Sequence, residues 1–235
     1  MKVFAISDLH LSSRSEKPMD VFGMVWENHW DEIRTDWRQK VTAEDVVVIA
    51  GDISWGMRLE EAVPDLDEIA ELPGRKVFIR GNHDYWWASY KKINAVLKPD
   101  MYCIQNNAVR LGRYVFCGSR GWTVPEQGAV STPENAKLLE RERGRMELAL
   151  TAADGMRKEG DRLIALIHYP PFNARFEGSV FTELFAKYRV DTVIYGHLHG
   201  ETSRVRMEYD KGGIRYYLTS CDKLGNRLKL IYDED

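Results

Sequence analysis

The chain alternates between short apolar, β-branched runs and longer stretches whose apolar residues recur every three or four positions. The runs Val3-Phe4-Ala5-Ile6, Val46-Val47-Val48-Ile49-Ala50, Val77-Phe78-Ile79, Leu163-Ile164-Ala165-Leu166-Ile167 and Val190 to Tyr195 predict buried strands. Val25, Trp26, His29, Trp30, Ile33 and Trp37 advance at helical spacing and predict a helix with an apolar stripe, on which His29 is packed. Arg58 to Leu72 predicts an amphipathic helix closed by Pro73-Gly74. Tyr85-Trp86-Trp87 predicts the start of another, running to about Leu97. Thr132-Pro133 is a good cap and first helical residue. It opens a long charged helix to about Lys158, with Leu139, Met146, Leu150 and Ala153 inward and the charges in solvent. Phe181 to Tyr188 predicts a short helix. Ala108 to Leu111 and Tyr114 to Cys117 flank Gly112-Arg113 as a hairpin. The tail, 202 to 232, alternates and predicts an antiparallel meander. No repeat or linker interrupts this α/β pattern, so one domain over residues 1–235 is expected.

Composition excludes several classes. Hydrophobic residues make up 44% and charged residues 29%, ordinary for a globular chain. The net charge of -3 supplies no field to draw long nucleic acid or anionic membrane. The longest apolar runs are strand-sized and the N-terminus enters a strand at once, so neither signal peptide nor membrane span is expected. Cys103, Cys117 and Cys221 show no paired spacing, which predicts buried, reduced thiols and a cytoplasmic setting.

The chemistry lies in the turns. Each of five strands runs into one: Asp8-Leu9-His10, Gly51-Asp52, Gly81-Asn82-His83-Asp84, His168, and Gly196-His197-Leu198-His199. In open α/β sheets ligands bind beyond the carboxyl ends of strands. Asp8 and His10, two apart, project to one side of an extended backbone, as ligands or as a satisfied pair. Five of the six histidines fall in these turns. If the strands share one sheet, four imidazoles (His10, His168, His197, His199), two aspartates (Asp8, Asp52) and the Asn82 amide converge. Seven ligands over-supply one metal and suit two if a carboxylate bridges. Arg120, between small residues at a strand end, is a candidate phosphate contact. Tyr85 and Trp86 are either core or a platform for a base or sugar. Further walls are the 12–43 insert, whose loop from Ser12 to Asp20 can overhang Asp8, Trp55 to Arg58, Arg120-Gly121-Trp122 and Tyr169 to Phe172.

In order and spacing this set resembles that of the calcineurin-like metallophosphoesterases, from residue 8 to residue 199, with no element missing. The resemblance implies a four-layer αββα sandwich with a dinuclear centre at one edge of two sheets. By position, Asp8, His10 and His199 would bind one cation and Asn82, His168 and His197 the other, with Asp52 bridging. His83 would act as general acid beside the cations, and Asp84 would orient it. The implied activity is hydrolysis of a small phosphate ester or nucleotide, mono- or diester. The mixed donors favour two ions of Mn, Fe or Zn over Mg. A non-catalytic metal-binding scaffold of the same fold is the alternative. A structural zinc protein is disfavoured because such sites are closed and cysteine-rich.

Overall fold

Strand side chains point alternately to opposite faces, and that alternation sorts this chain into layers. The computed structural model describes residues 1–14, 17, 19–126, 128–129, 131–200 and 205–233. The first half runs β1 (Lys2–Ile6), α1 (His29–Lys40), β2 (Val46–Ile49), α2 (Leu59–Ala70), β3 (Arg75–Ile79), α3 (Tyr90–Asn94) and β4 (Met101–Ile104). It continues through β5 (Ala108–Leu111), β6 (Tyr114–Ser119), α4 (Pro133–Met156), β7 (Arg162–Ile167), α5 (Val180–Lys187) and β8 (Thr192–Tyr195). The tail holds β9 (Glu208–Lys211), β10 (Ile214–Leu218) and β11 (Lys229–Asp233). Two mixed sheets result, ordered β11-β1-β2-β3-β4 and β5-β6-β7-β8-β10-β9.

Phe4, Ile6, Val47, Ile49 and Phe78 face one way and pack on Ile33 and Trp37 of α1, Leu66 of α2 and Ile93 of α3. Their neighbours Val3, Ala5, Val46, Val48, Val77 and Ile79 face the other way and meet Phe116, Ile164 and Leu166 of the second sheet. The far face of that sheet, with Val115, Leu163, Ala165 and Ile167, packs on Met146 and Leu150 of α4 and Phe181 and Phe185 of α5. Helices, sheet, sheet, helices: this is the four-layer α/β sandwich. Buried polar contacts also join the two sheets. Thr192 Oγ1 on β8 lies 2.6 Å from Tyr232 Oη on β11.

Four expectations need correction. The stripe from Val25 to Trp37 is not one helix, because Asn28 adopts a left-handed φ of 54° and α1 begins only at His29; Met24–Trp26 is a short 3-10 turn. His29 is packed as expected, its ring nitrogens bonded to the carbonyls of Trp26 and Leu9. Tyr85 to Ser89 are not helical: Tyr85 N and Trp87 N bond back to the carbonyls of His83 and Asp84, and α3 covers only Tyr90–Asn94. The tail is no meander. β10 pairs antiparallel with β9 but parallel with β8, and β11 crosses to the first sheet beside β1; residues 201–204 lie outside the described residues. The charges of α4 are not all solvated either, since Glu142 is fully buried.

The sheet-bridging hydroxyls generate a prediction. Tyr232→Phe removes the partner of a fully buried threonine and is expected to cost about 1–2 kcal/mol. Urea unfolding should show a lower midpoint at unchanged slope; an unchanged midpoint would mean these hydroxyls do not tie the sheets.

Candidate metal centre

The parallel registers set the carboxyl ends of β1, β2 and β3 side by side, and likewise those of β7 and β8. The two groups belong to different sheets, not to one. They are joined by backbone bonds from Ser7 N to Thr219 O (2.8 Å) and from Cys221 N to Ser7 O (3.0 Å), while within the second sheet Gly196 N bonds to His168 O (3.1 Å). Glycine permits this approach at two points. A Cβ on Gly51 would fall 2.7 Å from His168 Nδ1, and one on Gly196 would fall 2.4 Å from Ser7 Oγ.

Four of the turn residues are left-handed: Asp8 (φ 58°), His10 (48°), Asp52 (53°) and His197 (72°). The extended Asp8-Leu9-His10 expected from spacing is therefore replaced by two strained residues, each costing about 1–3 kcal/mol. The strain re-aims the side chains. Ligand atoms of Asp8, His10 and His199 lie within 4.8 Å of one another, as do those of Asp8, Asp52 and His168. Asn82 Oδ1 lies 2.8 Å from His168 Nε2 and 2.7 Å from His197 Nδ1. Asp52 Oδ2 stands between the groups, 3.8 Å from His10 Nε2 and 3.4 Å from His168 Nε2. The structure thus brings together all seven donors expected from the turns.

Their bonding fits divalent cations. Both ring nitrogens of His10 and Asp52 Oδ2 are buried with no hydrogen-bond partner among the described residues. Such orphans are costly unless something else pairs them. Imidazole, carboxylate and amide oxygen together suit transition-metal dications. The remaining atoms are held in place. Asp8 accepts from Ser7 Oγ (2.6 Å) and from His197 N (3.1 Å); His168 Nδ1 meets Ala50 O (2.9 Å), and Asp52 Oδ1 accepts from His83 N (2.8 Å). Such outer partners fix ligand orientation.

Electrostatics follow the packing. Burial drives His10 down to about 4 against the pull of Asp52 and Asp8. Burial, then His168, puts His197 at about 4 as well. Burial opposes charge on His168 too, but Asp52 and Asp8 override it and push the ring up to about 9. Burial also raises Asp52, yet His168 and then His10 hold it below the usual carboxylate range. The metal-free centre is therefore an ionised Asp52 beside a protonated His168.

His83 is half-buried, its ring centroid 4.7 Å from that of Trp55, 5.6 Å from His10 and 6.1 Å from Tyr85. Burial lowers its pKa, with Asp52 pulling the other way. Asp84 does not touch this ring, contrary to expectation. Its carboxylate accepts from the amides of Asp52, Ile53, Ser54 and Gly81 and from Trp86 Nε1, at 2.7–3.2 Å. It positions the turns. Trp86 is 2% exposed and committed to that bond, so it is no platform for a base. Tyr85 is the ring at the opening, 49% exposed. Arg120 lies against Glu142 (3.4 Å) and over the Trp122 ring (4.9 Å), while its carbonyl takes the amides of His168 and Tyr169. Trp122 and Tyr169 line the approach to His197, whose ring is 4.3 Å from that of Tyr169.

Sequence reasoning missed the supports. Ser7, Cys221, whose thiol donates to Asp8 O (3.0 Å), and Arg80 carry no motif of their own. Within the 12–43 insert, Met19, Phe22 and Trp26 join Trp55, His10, His83 and His199 around a cavity of about 340 Å3. Helical spacing gave Trp26 to a core, whereas Met19 lies in the loop expected to overhang the site; Gly23 and Asn28 bend the segment toward it.

Comparison with known proteins gives the family and the fold. The family model for calcineurin-like phosphoesterases matches residues 1–201. No curated protein matches the sequence. Among solved structures, phosphopantetheinyl hydrolase (PptH) from Mycobacterium tuberculosis is similar at 15% identity and TM-score 0.62, covering 99% of this chain and 96% of its own. A protein of unknown function from Aquifex aeolicus is similar at 15% identity and TM-score 0.49, covering 97% and 95%.

Because His168 keeps its proton up to about 9, loading Mn or Zn near neutral pH is expected to release about one proton per chain. Apparent affinity should rise with pH from about 6 to about 8, since each lost proton vacates a ligand. Calorimetry in two buffers of different ionisation enthalpy measures both; an affinity flat across that range would remove His168 from the ligand set.

Proposed function

The chain belongs to the calcineurin-like phosphoesterases, and from that premise we propose a metal-dependent phosphohydrolase in which Asp8, His10 and His199 hold one cation, Asn82, His168 and His197 a second, and Asp52 faces both. The observation that carries this is the convergence of seven donors from five turns on buried, unpartnered atoms of His10 and Asp52. Bound dications of this kind supply hydroxide near neutral pH and neutralise charge on phosphoryl oxygens. The identity of the pair is Mn, Fe or Zn on donor chemistry. The three cysteines are buried and unbridged, which supports work in a reducing compartment such as the cytoplasm. No helix among the described residues is long and apolar enough to cross a membrane.

The chain's own contribution is to place a proton. His83 stands beside the donor cluster with Nδ1 unpartnered among the described residues and its ring bracketed by Trp55 and Tyr85. An arriving phosphate anion offsets the burial that lowers its pKa, so the protonated ring can donate to the leaving oxygen. The leaving group then lies in the cavity of about 340 Å3 lined by Met19, Phe22, Trp26 and Trp55. Those walls favour an apolar or aromatic body over a bare sugar. The substrate class is a small phosphate ester or nucleotide.

His83→Ala is expected to keep both metals and to lose roughly 10²–10⁴-fold in kcat on an alkyl phosphate. A nitrophenyl ester, which needs no proton on departure, should lose far less; equal losses would remove the acid role. Trp55→Ala is expected to raise KM about tenfold more for phenyl phosphate than for methyl phosphate, which steady-state kinetics would read. The screening panel should include mono- and diesters, nucleotides and a phosphopantetheinyl ester, after the name of the PptH fold relative. Bound metal with no turnover on any of them would favour a scaffold.

A further inference from the structure

A second cluster of charge lies outside the ring of metal donors. Arg80 leaves the end of β3 two residues before Asn82, Arg120 follows β6, and Arg145 and Glu142 come from α4. They share a cavity of about 70 Å3 with Ser119 and Gln105. Three guanidiniums thus surround one carboxylate. Glu142, fully buried, spends one oxygen on Arg145 Nη1 (2.7 Å), Arg120 Nη2 (3.4 Å) and Arg141 Nε (3.8 Å). Half-buried Arg80 has no hydrogen bond or ion pair among the described residues, and its Nε is buried and unpartnered, as is that of Arg120. Ser119, only 5% exposed, leaves Oγ unpartnered in the same cavity. Burial, then the neighbouring Arg120, works against the charge on Arg80.

A half-buried cation such as Arg80 with no ion-pair partner is unfavourable, and guanidinium forks match the oxygens of a tetrahedral oxyanion. The cavity admits such a group with little more: a water occupies about 30 Å3 in the liquid. It is too small for a base or sugar ring. It also adjoins the proposed centre. The Arg120 guanidinium lies over Trp122 (4.9 Å), whose ring is tilted against that of Tyr169 (5.4 Å), itself tilted against His197 (4.3 Å).

We propose that Arg80, Arg120 and Arg145 form a phosphate-class oxyanion site beside the metal centre, placed to take a second phosphoryl group carried by the substrate. The oxyanion chemistry stands on the arginine cluster alone; its use by a substrate rests on the esterase reading above. Glu142 tempers the site, pairing with two of the arginines and weakening the hold on an anion.

The test uses metal-loaded full-length protein and two nitrophenyl esters with one leaving group, thymidine 5′-(p-nitrophenyl phosphate) and its 3′-phosphorylated counterpart. Wild type should prefer the 3′-phosphorylated ester. Arg80→Gln, which leaves no ion-pair partner behind, and Arg145→Gln, which leaves Glu142 still beside Arg120, should lower that kcat/KM ratio roughly tenfold to a hundredfold. Glu142→Gln should raise it. Calorimetric titration with inorganic phosphate runs in parallel. If the ratio stays fixed but Arg80→Gln loses a phosphate-binding event separate from that at the metals, the site holds free phosphate and not the substrate's. If neither the ratio nor phosphate binding differs between wild type and the three variants, the site is overturned. A protein that hydrolyses the nitrophenyl bond of neither fails as a diesterase, yet the phosphate titration still reads the arginines.

Discussion

One buried carboxylate holds the two acidic turns of the first sheet together. Asp84 has no exposed surface and accepts three amides from the β2 turn, one from the β3 turn and an indole N–H. Each amide left unpaired in that interior would cost about 1–3 kcal/mol. The same bonds settle Asp52, whose Oδ1 is then taken by His83 N and whose Oδ2 is left facing His10 and His168. Burial, then the Asp52 charge, pushes Asp84 up to about 6. Two carboxylates this close repel, and positive charge beyond Asp52 relieves them both. A dication at Asp52 would therefore stabilise the turns as well as serve the proposed chemistry.

Strain and support are coupled in the same way across the sheets. The left-handed Asp8, His10, Asp52 and His197 would relax if the turns were independent loops. They are not. Asp8 N and His10 N bond to the carbonyls of Gly51 and Asp52, while His197 N returns to the Asp8 carboxylate. Each strained residue is thus held by a neighbour from another turn. The cost is met by the flat, apolar interface between sheets, where Val48, Val77, Ile164 and Leu166 hold the strand ends in register.

The sequence disclosed the donors better than the geometry that assembles them. Asp8, His10, Asp52, Asn82, His168, His197 and His199 were legible because histidine is rare in this chain and five of six occur just past apolar runs. The strands were legible because alternation is a local signal. Which sheet each strand joins was not, since β10 pairs with β8 and β11 with β1 through contacts distant in sequence. Trp86 looked like a platform because its ring is aromatic and near His83; only the fold shows its N–H pointed down at Asp84. Arg80 and Glu142 were invisible for a related reason. A charged residue reads as solvated until a helix and two strand ends close over it, and α4 packs against β6 only in three dimensions.

The two cavities constrain the substrate more together than apart. The aromatic one opens beside His10, His83 and His199, and the arginine one lies beyond Tyr169 on the flank of His168 and His197. A proton donor at His83 assigns the leaving group to the aromatic side. In a monoester, everything except the phosphoryl group leaves, so nothing would remain to reach the arginines. Occupancy of both flanks by one molecule requires phosphorus with a substituent on each side, a diester or an anhydride. On the proposed roles of His83 and the arginines, these walls would select an apolar leaving group on one flank and a second anionic group on the other.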